Sequence, residues 1–312
     1  MNAPRFKSWN VLLYGTVFVL SFGVFVYLTF PYGVLKEAVT AQIAKSSGLV
    51  IRVEEFGPAI PFGFKAKKIR ISGVARGPSL NLDRVEVSIS LLKLFIGRLG
   101  LGIEVTVPGN GRLNIDATFG LLRLFESNPL PSFVSITVKK FDISGLVAFA
   151  TAYFASAPGT NPMVAPMLTK IGMKGALNGQ VDFDLDLSNL PQSSGALNLT
   201  FADAALTFDD PALNLGEQKF EKAALKAALK GGSFDLDKTS GLQSQGMVLD
   251  LNGAIKLRPE FSKSLLDISI NLKLDNVLKE QFGFILDMAG GTGGAVKLQV
   301  NGTLEHPNVA TM

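Results

Sequence analysis

Cysteine is absent from this chain of 312 residues, and histidine and tryptophan occur once each. The first absence excludes a disulfide framework and thiolate metal sites, and it leaves the redox compartment unread. The single histidine, His306, stands just before Pro307, and one imidazole makes neither a zinc site nor a base with its partners. Charged residues make up only 18% of the chain, and a net charge of +4 is too small to imply a nucleic-acid partner. Between Lys7 and Lys36 no charged side chain occurs at all.

That gap contains an apolar run from Val11 to Phe30. About twenty helical residues, each rising about 1.5 Å, span a bilayer core, so residues 9–32 are expected to form a transmembrane helix. Trp9 and Tyr14 lie near one end, Tyr27 and Tyr32 near the other, and Phe18, Phe22, Phe25 and Phe30 fall between, as membrane anchoring requires. Arg5 and Lys7 precede the run without an acid, which keeps residues 1–8 cytoplasmic and sends the rest across. A cleaved signal peptide fits less well, because the run exceeds a signal core and no A-x-A-like site follows it.

Past the span, Val34, Leu35, Ala38, Val39 and Ile43 recur at helical spacing until Gly48, which predicts a short amphipathic helix lying on lipid or capping a domain. The period then changes to two. Residues 33–157 read as a first β-rich part with strands over 49–56, 62–72 and 85–91, and a hairpin turning at Pro108-Gly109-Asn110-Gly111. Lys65, Lys67, Lys68, Arg70 and Arg76 form a basic group best read as a solvated strand face. The alternation of Val134, Ile136 and Val138 shifts to Phe141 and Ile143, which signals a bulge or a strand end. Residues 144–157 predict an apolar helix too short to span a bilayer, and the proline-rich stretch 158–167 reads as a linker.

In the remaining part, 168–312, amphipathic strands recur. Val181, Phe183 and Leu185 alternate with aspartates; Leu197, Leu199 and Phe201, then Leu249 and Leu251, then Ile268 and Ile270, alternate with polar residues in the same way. Gly175-Ala176-Leu177, Gly195-Ala196-Leu197 and Gly253-Ala254-Ile255 read as recurrent strand openings. Residues 220–230 have a helical composition but an alternating pattern and are read as a strand; 276–289 reads as a helix.

No catalytic set or cofactor site emerges. Asp182, Asp184 and Asp186 share one strand face and lack the glycine and terminal glutamate of a calcium loop. Gly290-Gly291-Thr292-Gly293-Gly294 lies between a helix and a strand, the reverse of a phosphate loop, and no Gly-Lys-Ser/Thr ends it. The expected fold is mainly β: a curved, largely antiparallel amphipathic sheet with a few short helices. Its oily faces exceed what those helices can cover, so the sheet either closes on itself or stays open around another apolar body. If it is open, Val181, Phe183, Leu185, Leu197, Leu199, Phe201, Leu249, Leu251, Ile268 and Ile270 are the candidate lining for membrane lipid. Alternation alone is the same in both cases.

The span followed by Phe30-Pro31-Tyr32, then Gly48-Leu49-Val50, Pro61-Phe62-Gly63-Phe64, the passage into Leu91-Leu92-Lys93-Leu94 and the closing Gly302-Thr303-Leu304-Glu305-His306-Pro307 resemble the GspN family of type II secretion proteins, related to AsmA-like proteins. The resemblance implies an AsmA-like half-barrel or trough, anchored in a bacterial inner membrane with its bulk in the periplasm. It further implies a non-enzymatic role, either with other type II secretion components or in binding or transferring lipid.

Overall fold

The computed structural model describes residues 14, 17–18, 21–23, 25–27, 29–60, 62–73, 77–122, 130–156, 166, 169–186, 189–209, 217–280 and 291–311. The chain is mainly β, with one large antiparallel sheet and a few short helices. No helix among the described residues is long and apolar enough to cross a membrane. Much of the expected span, including Trp9, lies outside them, and the described residues between 14 and 29 are helical. Helix α1 (Tyr32–Ser47) follows after a break at Phe30 and Pro31, so Tyr32 begins the second helix and does not end the first. The carboxyl end of α1 is capped by Gly48 at φ 69°, whose N–H donates to the Ala44 carbonyl.

The sheet order is β1 (Val50–Pro58), β2 (Gly63–Ser72), β3 (Ser79–Ser90), β4 (Arg98–Val107), β5 (Gly111–Gly120), β6 (Phe133–Asp142), β7 (Ile171–Asp184), β8 (Ser194–Phe208), β9 (Gln218–Lys230), β10 (Ser233–Leu236), β12 (Met247–Lys256), β13 (Leu265–Leu274), β14 (Ala295–Thr303) and β15 (Pro307–Thr311). Short β11 (Gly241–Ser244) sits beside β10 in the same slot, bridging β9 and β12. Ser240, almost wholly buried, joins the two: its hydroxyl accepts from the Lys226 N–H and donates to the Lys226 carbonyl. Strands β6 and β7, on either side of the expected linker, pair directly, so both halves belong to one sheet. Residues 220–230 are strand, within β9, because a neighbour on each side supplies the ladder that their helical composition competes against.

Two kinds of irregularity keep the apolar face continuous. In β1, β2 and β3 the charged doublets Glu54-Glu55, Lys67-Lys68 and Asp83-Arg84 mark the level where apolar positions change parity together, with Lys68 at φ 51°. There Lys67 meets Glu55 at 2.8 Å and Lys68 meets Glu54 at 3.0 Å, exposed pairs that add little stability. In β6 and β8 the shift is a bulge on each side of β7, at Lys140 (φ 48°) and Asp203 (φ 52°). The parity change from Val138 to Phe141 is therefore a bulge inside a strand.

The Gly-Ala-Leu and Gly-Ala-Ile openings are corrected for Gly175 and Gly253, which lie inside β7 and β12 at φ 130° and 131°. A Cβ on Gly253 would stand 2.1 Å from the Asp267 carbonyl oxygen, so backbone approach and φ both require glycine. Gly253→Ala is expected to lower unfolding free energy by about 2 kcal/mol, read as a lower midpoint in thermal unfolding followed by circular dichroism. An unchanged midpoint would show that β12 bends elsewhere.

Candidate functional site: an apolar face fourteen strands long

In an antiparallel sheet, residues directly opposite each other point to the same side. One cross-strand row can be followed through every strand of the path: Pro58, Phe64, Val87, Ile103, Ile115, Ile136, Val181, Leu197, Ala227, Leu236, Gly253, Ile268, Val300 and Val309. No member of it is polar. A second row runs beside it through Ile89, Leu101, Ala117, Val134, Phe183, Gly195, Leu229, Phe234, Ile255 and Leu266. On the other side Ala66, Val85, Val105, Leu113, Val138, Gly179, Leu199 and Leu225 make a third, continued by Leu251, Ile270 and Leu298 beyond β11. At about 4.8 Å per strand the face runs on the order of 60 Å, with rows roughly 7 Å apart.

Nine of the ten candidate lining residues fall on this face. Leu185 lies just past the end of β7, where its N–H donates to the Ser132 carbonyl at 2.7 Å. Sequence reasoning placed the lining in the second half alone. The rows extend equally through Val87, Ile103, Ile115 and Ile136, and the same alternation marked them; what it lacked was the register linking the halves across β6 and β7.

Two rings lean together across this face. Phe183 on β7 and Phe234 on β10 stand three strand spacings apart, about 14 Å in a flat sheet, yet their ring centroids lie 5.7 Å apart, edge to face. Gly195 allows it, since a Cβ there would stand 2.3 Å from the Phe183 ring. Helix α2 (Leu91–Leu94) and helix α3 (Ser144–Ala155) follow β3 and β6. Helix α3 packs against both β3 and β7, with Phe149 and Tyr153 beside Gly73. A cavity of about 570 Å³ lies between α3 and the start of β7, lined in part by Ala148, Ala152, Ile171 and Gly172. Most row members are only half-buried.

Among the described residues the fully buried apolar side chains are six alanines together with larger residues such as Ile69, Val107, Val138, Phe141, Ile143 and Leu229, the last 1% exposed.

The opposite face is wet. Asp182 accepts from the Ser135 hydroxyl at 2.6 Å and from the Gln180 amide at 2.7 Å, and Asp267 accepts from Gln299 at 2.6 Å. Glu86 and Glu104 stand directly opposite each other, with Arg84 paired to Glu86. No three histidines or carboxylates converge on a metal-sized point among the described residues. His306 lies in the exposed turn between β14 and β15, its N–H donating to the Thr303 hydroxyl at 3.1 Å. Asp237 is held below the usual carboxylate range by hydrogen bonds from the Thr239 hydroxyl and N–H, a local turn contact with no reactive group beside it.

Of the expected anchor residues, Tyr14, Phe18, Phe22, Phe25 and Phe30 are exposed. Tyr27 and Tyr32 differ. The Tyr27 hydroxyl donates to the carbonyls of Ala59 and Gly63, the latter at 2.7 Å, and Tyr32 donates to the Tyr27 carbonyl at 2.8 Å. With Phe56, Phe62 and Phe64 they form an aromatic cluster fastening the first helical segment to the β1–β2 turn. No family model, no curated protein and no solved structure matches this chain.

The burial of row members makes a sharp energetic expectation. Ile270→Ser, half-buried, is expected to cost about 1 kcal/mol, and Leu229→Ser, the fully buried member of the second row, at least about 3 kcal/mol. Urea unfolding of the two variants compares them. Equal large losses would mean that the rows are packed shut.

Proposed function

We propose that this chain is a non-enzymatic lipid-binding module whose apolar face forms a trough, AsmA-like in arrangement, that holds acyl chains. The observation that carries this reading is the row from Pro58 to Val309, apolar in every strand yet only half-buried along most of its length. A folded protein ordinarily covers such a face with a second layer. An acyl chain is a fitting cover, because it is flexible enough to follow a twisted sheet, and each methylene buried is worth about 0.8 kcal/mol. The apolar run before Phe30 serves in this reading as the membrane anchor, with the sheet in the periplasm.

The alternative is the accessory role in type II secretion that the GspN resemblance implies. One feature favours it: no described strand pairs with the outer edge of β15, which leaves backbone donors and acceptors for strand addition by a partner. Helix α1 contacts β1, the strand at the other edge.

Site-specific photocrosslinking in living cells tests the trough. A benzophenone side chain placed at Leu199 or Ile270 is expected to give phospholipid or lipopolysaccharide adducts by mass spectrometry. The neighbouring positions Asn198 and Asp267, on the wet face, are expected to give about tenfold less. Equal yields on both faces, or none at 199 and 270, would overturn lipid binding and leave the secretion reading in front.

A further inference from the structure

Large apolar side chains are left bare at one end of the strands. Ile60 in the β1–β2 turn is 87% exposed; Leu92 and Phe95, between β3 and β4, are 81% and 88% exposed; Leu122, after β5, is 89% exposed. Ile96 beside them is also exposed. The register places all three connections at the same end of the sheet, since Gly63 opposes Ser88 and Arg98 opposes Gly120. Two strand spacings separate successive connections, about 10 Å.

The turns at the other end of the sheet are different. Pro108-Gly109-Asn110 and Gln245-Gly246 present no large apolar side chain. Among the described residues the four most exposed large apolar side chains, Ile60, Leu92, Phe95 and Leu122, all lie on this rim, and such a clustered patch marks an interaction surface.

We infer that this rim docks on a lipid bilayer, with Ile60, Leu92, Phe95, Ile96 and Leu122 dipping into the interface. Two further observations favour lipid over a protein partner. Tyr27 bonds the first helical segment to Ala59 and Gly63, so the apolar run ends beside this same rim. Within the described residues 59–62, 91–98 and 121–122 there is no acid, while Lys93 and Arg98 supply two cations. Lys93 is turned away, its ammonium donating to Thr118 at 3.0 Å, which leaves Leu92 and Phe95 as the projecting groups. Apolar tips backed by cations suit an interface with anionic headgroups. The row members Phe64, Val87 and Ile103 begin just behind this rim.

The inference stands whether or not the apolar face holds lipid. The absence of cysteine makes its test direct. Single nitroxide labels are placed at F95C, L122C, N110C, Q245C and F18C in the full chain, reconstituted in vesicles of phosphatidylcholine and phosphatidylglycerol. Collision with oxygen, which concentrates in lipid, is compared with collision with an aqueous nickel chelate. The expected oxygen-to-nickel ratio is at least about fivefold higher at 95 and 122 than at 110 and 245. Labels at 95 and 122 as open to nickel as those at 110 and 245 overturn the inference, and a lipid-buried label at 18 in the same sample would show that the apolar run is embedded while the rim is not. A label at 110 as lipid-buried as that at 95 overturns it too, because the rim would then not set the orientation.

Discussion

Everything in this molecule depends on register. Side chains alternate faces with a period of two, so a slip of one residue anywhere between β1 and β15 would turn the oily positions of all later strands to the wet side. Fourteen strands nonetheless keep one apolar row from Pro58 to Val309. Where a strand changes parity its neighbours compensate: the charged doublets do so across β1 to β3, and the bulges at Lys140 and Asp203 do so on the two sides of β7. Glycines at 175, 179 and 253 all take positive φ, and at 179 and 253 the neighbouring backbone comes too close for any Cβ. The irregular residues are therefore what keeps the regular feature intact.

Much of this was legible in local chemistry. Asn110, at φ 64°, turns β4 into β5 as its Asn-Gly step suggests, and the shift between Val138 and Phe141 is the bulge its parity implied. The alternation of Ala223, Leu225, Ala227 and Leu229 outweighed the helical propensity of residues 220–230, as pairing on both sides of β9 requires. Other features left weaker marks. Strands β10 and β11 have only four residues each, too few for a period to show, and β15 follows a turn that reads as a terminus. Doublets such as Lys67-Lys68 look like a charged face until the neighbouring doublets are known to lie at the same level. Continuity of the rows is a property of thirteen pairings together, and no single segment contains it.

The aromatic residues before Pro31 show the same division. Tyr27 and Tyr32 suit a membrane interface by composition, yet their hydroxyls are committed to backbone carbonyls and their rings to Phe56 and Phe62. A tyrosine half in an apolar cluster with its hydroxyl on a carbonyl satisfies both ends of the side chain. The same residue type thus serves fastening here, while Tyr14, Phe18, Phe22 and Phe25 are exposed.

In a sheet with one apolar face, part of the burial comes from sideways contact. Alanines at 66, 223 and 227 are buried among larger neighbours, and Leu229 is covered in a stretch where Phe183 and Phe234 meet over Gly195. Such lateral packing hides the base of each side chain and leaves its tip partly exposed. A rigid second layer could match such a surface only by following its twist strand by strand. A flexible apolar molecule needs no such match, and its contact would grow with the number of strands it crosses, which gives a reason for a sheet this long to remain apolar along its whole length.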